Sequence, residues 1–143
     1  MLEFYQYGFS DIENSDLDSH GLYGYPWLDH YWTEVGRFPF IIRVDCKLAG
    51  FVLVNQKTYL QNGEWANSKF FVLRKYRRKG IGETFAFSIF DHLHGRWEVP
   101  KLEGDIPSQI FWRKIISRYT NRKFAETMWT DKAARRPIQC FEN

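Results

Sequence analysis

The sequence predicts a single α/β (α+β) domain of three layers over residues 1–143: a central, mostly antiparallel twisted sheet with helices on both faces. Three observations predict it. The length and the 44% hydrophobic content suit one core and leave no room for a second domain. Two strand-like runs joined by a tight turn, within residues 38–55, start an antiparallel sheet. Further on, an apolar strand runs straight into a helix and then into another strand, the connection that parallel neighbours require.

Residues 1–36 read as short helical pieces broken by turns. Met1 to Tyr7 resembles a helix interior, Ser10 or Asp11 is placed to cap a helix, Gly21 and Gly24 punctuate, and Pro26 opens a second short helix through Trp32. Phe38 to Asp45 is a strand, Asp45-Cys46-Lys47 a turn, and Leu48 to Asn55 the returning strand. A polar stretch ending in the turn signal Asn62-Gly63 precedes a third strand, roughly Trp65 to Leu73. The period then changes. Phe85, Ile89, Phe90 and Leu93 recur at helical spacing within Gly82 to His94, and Gly95 stands where a helix stops. A strand around Arg96 to Val99 follows, Pro107 starts a helix carrying Ile110, Phe111, Lys114 and Ile115, and Phe124 to Trp129 and Ile138 to Phe141 form two closing strands.

Charge is divided along the chain. Residues 1–36 hold seven acids and no Lys or Arg, while the remainder holds all 20 basic residues against ten acids. That division suits one anionic and one cationic ligand on different surfaces. Aromatic residues reach 19%, and many lie beside charges and turns, so some line a pocket or interface as well as the core. Cys46 and Cys140 are too few for a disulfide framework and lack zinc-site spacing, which favours a reducing, cytoplasmic setting. No leader pattern or membrane-length apolar run is present in the sequence. His92 and His94 diverge on a helix and cannot share a metal, so no metal is expected, and no serine stands in a nucleophile-elbow context.

The informative stretch is the strand Phe70-Phe71-Val72-Leu73 running into Arg74-Lys75-Tyr76-Arg77-Arg78-Lys79-Gly80-Ile81-Gly82 and then a helix. Such a turn makes an anion cradle: the first N–H groups of a helix have no intrahelical partner, and the macrodipole is positive there. Gly80 and Gly82 let the backbone approach a phosphate, and Arg77, Arg78 and Lys79 add mobile charge. The third glycine of a dinucleotide fingerprint is missing, as is the Gly-Lys-Ser/Thr ending of a P-loop.

This stretch resembles the signature of the GNAT N-acetyltransferase superfamily, Arg or Gln, two residues, Gly, one residue, then Gly or Ala, met here by Arg77, Gly80 and Gly82. In the next helix the family often has Asn, Ala, Phe or Leu, and Tyr, where this chain has Asp105, Ser108, Phe111 and Trp112. Element order agrees from about residue 37 onward. The resemblance implies that Arg77 to Gly82 holds the pyrophosphate of acetyl-CoA, that Phe71, Val72, Leu73 and Arg74 pair with its pantetheine arm, and that Phe111 and Trp112 face the cofactor. It also implies an acetyl group moved to a primary amine by direct transfer in a ternary complex, and homodimerisation by family habit. Three departures stand out: Trp112 takes the place of the tyrosine general acid, Lys69 takes that of a glutamate base, and the family's first strand is missing. Catalytic residues are therefore unassigned.

The acidic, aromatic N-terminal segment lies where the resembled family admits its acceptor. A small or cationic amine is expected there, drawn by Asp11, Glu13, Asp16 and Asp18 and walled by Tyr23, Tyr25, Trp27, Tyr31 and Trp32. Two other functions fit the residues: a CoA-binding regulator of the same fold with little turnover, and a basic module binding nucleic acid through Arg74 to Lys79 and the later arginines.

Overall fold

The computed structural model describes residues 1–132 and 134–143. Three short helices, α1 (Leu2–Tyr7), α2 (Ser10–Glu13) and α3 (His30–Thr33), precede the strands β1 (Arg37–Val44), β2 (Lys47–Asn55) and β3 (Trp65–Val72). A 3-10 turn, Arg74–Tyr76, leads into α4 (Ile81–His92), then β4 (Arg96–Pro100), α5 (Ile106–Tyr119), β5 (Ala125–Thr130) and β6 (Arg135–Glu142). The sheet order is β1-β2-β3-β4-β6-β5, with β3 and β4 parallel and every other neighbour antiparallel. Among the described residues no strand precedes β1, which forms one edge of the sheet and carries Pro39, a residue that edge strands tolerate.

Both sheet faces are covered. Under α4 and α5, Val52, Val54 and Val72 meet Ile89, Phe90, Trp112 and Ile116. Phe90 is the hub: its ring lies 4.9 Å from Trp97, 4.8 Å from Phe141 and 5.0 Å from Tyr119. Each such ring pair adds about 0.5–1.5 kcal/mol beyond area burial, so much of the aromatic excess serves the core. On the opposite face Tyr31 of α3, with Leu2 and Tyr5 of α1, packs on Phe51, Leu53 and Phe71.

The β1–β2 hairpin turns through Asp45 and Cys46, both left-handed at φ 48° and 61°, the geometry of a type I′ turn. The N-terminal segment departs from its sequence pattern. Ser10 lies inside α2 and donates its hydroxyl to the Tyr7 carbonyl instead of capping. Pro26 opens no helix: Leu28 N–H bonds to Tyr25 and Tyr31 N–H to Leu28, successive tight turns that swing Tyr31 into the core, where its hydroxyl accepts from Asn55 Nδ2. α4 ends two residues early because Leu93 leaves the helix to bury its side chain and to accept the Trp97 indole N–H at 2.9 Å.

Two irregularities position the site. Leu53 pairs with Lys69 but Val54 with Asn67, so Ser68 is an extra residue in β3, a bulge that re-aims the strand. β3 and β4 pair only at Trp65–Trp97 and Ala66–Glu98 and then part, leaving a wedge at their C-terminal ends.

Candidate active site

A cleft of about 510 Å³ occupies that wedge. Its floor is Ala66 to Phe70 of β3 and Pro100 to Leu102 at the end of β4, and its walls come from α1, α2, the loop after β2 and the start of α5. The loop after β2 is fixed by a buried carboxylate. Glu98, 2% exposed, accepts from Tyr59 N–H at 2.7 Å and from Leu60 N–H at 3.2 Å. Tyr59 then stacks edge-on with Trp129 of β5 and lies under the Arg136 guanidinium.

Three lysines and one arginine line the cleft. Lys69 holds its ammonium 4.9 Å from the Tyr5 ring and 5.4 Å from the Tyr25 ring, a cation–π cage. Burial pushes its pKa down, Glu13 acts against that shift, and Arg136 adds to it. Burial likewise raises the hydroxyl pKa values of Tyr5 and Tyr25, and Tyr25 shares a hydrogen bond with Ser68 at the bulge.

Lys101, 5% exposed, has no hydrogen-bond partner for its Nζ among the described residues, and burial brings its pKa down to about 7 against the pull of Glu126. Between about pH 7 and 10.5 the unfolded chain binds this proton and the folded chain does not, so native stability rises with pH across that window. Lys101→Met should therefore be stabilising, by on the order of 2–4 kcal/mol at and below neutral pH. The gain should vanish towards pH 10.5, as urea midpoints at several pH values would show.

The turn expected to cradle an anion follows β3. Gly80, left-handed at φ 77°, precedes α4, and no side chain caps the helix N-terminus, whereas α5 is capped by Asp105, which accepts from Ser108 N–H at 3.2 Å. Glu83, the acid in the first turn of α4, is held by Arg118 of α5 at 2.8 Å and does not close the cradle. Arg78 and Lys79 are exposed beside it. Arg77 is tied back: its Nε donates to the Val72 carbonyl at 2.7 Å, and its guanidinium lies over Phe71, so it braces the loop. A Cβ on Gly82 would come within 3.2 Å of the Phe111 ring, which brings α4 and α5 into close contact there.

These elements form an uncapped helix N-terminus in a basic loop, following a bulged strand that parts from its parallel neighbour. The sequence profile of the acetyltransferase (GNAT) family matches residues 3–115, four fifths of the chain. The chain belongs to the GNAT acetyltransferase family. The matched region includes the N-terminal helices and the strands β1 to β4, and ends within α5. Solved GNAT structures share the fold at low identity. An acetyltransferase of the GNAT family from Bacillus cereus is 15% identical, with a TM-score of 0.57 over 82% of this chain and 77% of that one. Spermidine N-acetyltransferase SpeG from Vibrio cholerae is 14% identical, with a TM-score of 0.54 over 81% and 70%. BjaI, a CoA-dependent acyl-homoserine lactone synthase solved with SAM and isopentyl-CoA, is 11% identical, with a TM-score of 0.55 over 99% and 75%. No curated protein sequence matches the chain.

The residues expected at the acceptor separate in space. Tyr25 and Trp27 line the cleft, but Tyr31 is buried between α3 and the sheet and Tyr23 is absent from the lining, its N–H held by Glu3. Of the four N-terminal acids expected to draw a cation, only Glu13 reaches the lining, and Asp18 instead accepts from His20 and Leu22 N–H. Trp112 touches the cleft but is 5% exposed and packs on Phe70 at 4.9 Å. Sequence inspection missed Tyr5, Phe9, Tyr59, Lys101 and Arg136. Of these, Lys101 left a signal, a lysine just past an apolar strand. Among the described residues no group of His, Cys, Asp and Glu could hold a metal, and no helix is long and apolar enough to cross a membrane.

Proposed function

We propose that this chain is an N-acyltransferase that moves an acetyl group from acetyl-CoA to a primary amine by direct transfer in a ternary complex. The observation that carries it is the wedge between β3 and β4, open beside a helix N-terminus that no side chain caps. Acetyl-CoA supplies an activated thioester. The N–H groups at the start of α4, with Arg78 and Lys79, suit its pyrophosphate, and the inner edge of β3 past Ala66, where β4 no longer pairs with it, suits its amide-bearing arm, short of the Val72 carbonyl that Arg77 occupies. With the two reactants held at the bulge, positioning supplies roughly 7–11 kcal/mol of the barrier.

Proton transfer is handled differently from the family pattern. Trp112 is buried, and an indole N–H does not protonate a thiolate at neutral pH. Lys69 stands in the glutamate position as a caged cation. Lys101, with a pKa of about 7, is the cleft group matched to proton exchange near neutrality. Cys46 and Cys140, both free thiols, are compatible with a cytoplasmic site of action.

The same departures favour a second function, a CoA-binding regulator with little turnover. Thiol release from acetyl-CoA across an amine panel separates the two. Amine-dependent release is expected, and binding of acetyl-CoA without release from any amine would leave only the regulator.

A further inference from the structure

The acceptor end of the cleft has an excess of positive charge that the protein does not neutralise. Lys57, Lys69 and Arg136 come from three separate elements, the loop after β2, β3 and β6, and converge on one lining. Among the described residues none of the three has an ion-pair partner. Arg136 disfavours the Lys69 charge and Glu13 favours it more strongly, so Glu13 offsets one of the three cations. Two carboxylates share the lining, but Asp105 is occupied as the cap of α5, which leaves exposed Glu13. The cradle after β3 has its own cations in Arg74, Arg78 and Lys79, none of which lines this cleft, so the phosphates of a CoA ester do not account for the three.

Resting on the transferase function proposed above, we infer that the acceptor is an amine that also carries an anionic group, a carboxylate or a phosphate, seated against Lys57, Lys69 and Arg136. Repelling cations brought together by the fold are a preorganised anion site: an oxyanion between them relieves their repulsion and gains charge-assisted hydrogen bonds, which a planar guanidinium can make in pairs. The rings of Tyr5, Tyr25 and Trp27 pack on the apolar remainder of the molecule. A polycation would have to displace these side chains or bear their repulsion. Its attraction to the N-terminal acids does not help, because three of the four lie outside the lining.

The test uses acceptor pairs that share a skeleton and differ at the anionic group, with rates expressed per unprotonated amine: phenylalanine against phenylalaninamide, O-phosphoethanolamine against ethanolamine, and spermidine as the polycation. Thiol release gives kcat/KM for each, and acetyl-CoA binding is followed in parallel by thermal unfolding. The anionic member of at least one pair should be preferred by about tenfold or more, and the pair that shows it tells carboxylate from phosphate. In Lys69→Met and Arg136→Met the ratio within that pair should fall towards one, a change that general damage to the fold would not produce. Equal or better use of the neutral partner or of spermidine overturns the inference, as does release from no anionic amine while acetyl-CoA still binds. Absence of acetyl-CoA binding overturns the transferase function itself.

Discussion

Gly50→Ala should disrupt the pairing of β2 with β3 and cost about 3 kcal/mol or more of stability. Gly50 sits opposite Val72, next to the position where Ala49 is the extra residue against β1. A Cβ built there would lie 2.1 Å from the Phe71 carbonyl oxygen and 3.0 Å from Ile42 Cδ1. The nearer atom is backbone in a paired strand, so it cannot swing aside as a flexible side-chain tip would. Relief requires β3 to shift, and β3 carries both the Ser68 bulge and the floor of the cleft. Urea unfolding should show a much lower midpoint, and a midpoint within experimental error of wild type would mean that the strands are not this close.

Gly80→Glu should abolish stabilisation by acetyl-CoA while leaving the chain folded. At about 100 times the dissociation constant, binding stabilises a protein by about 2.7 kcal/mol, on the order of 5–10 °C in midpoint for this size. A Cβ at Gly80 would meet nothing within 4 Å, so the substitution causes no clash; its cost is the left-handed φ of 77°, about 1 kcal/mol. The added carboxylate would sit at the uncapped start of α4, where it would take the N–H groups and repel a pyrophosphate. Thermal unfolding of both proteins, with and without acetyl-CoA, checks this. A variant that keeps its shift would place the cofactor elsewhere.

The strands and the two long helices were legible because their signals are local. Alternation, the Gly80-Ile81-Gly82 turn and the period of Phe85, Ile89 and Phe90 each lie within a dozen residues. The motif also lies where the structure has an uncapped helix N-terminus, although Arg77 proves to brace that loop against Val72. The N-terminal quarter was less legible. Its turns are decided by long-range contacts such as Glu3 with Tyr23 and Tyr31 with Asn55, which no window of sequence contains. The cleft was hidden for the same reason. Arg136 is far along the chain from Lys57 and Lys69, and the acidic N-terminal composition pointed to a cationic ligand although most of those acids lie outside the lining.

The parting of β3 from β4 also bears on self-association. An open sheet of six strands ordinarily offers two rows of unpaired backbone groups, at its outer strands, and each row is a template on which another chain can add. Here the sheet has further rows inside it, along β3 and β4 past Ala66 and Glu98. An invading strand needs about 4.8 Å of clearance from each neighbour, and the wedge narrows to directly paired strands at its base. At that base there is therefore no room for a third strand, and an added segment could engage only the short stretch towards the mouth. The taper thus shortens the template that the inner rows offer to another chain while leaving their outer peptide groups open to a small ligand.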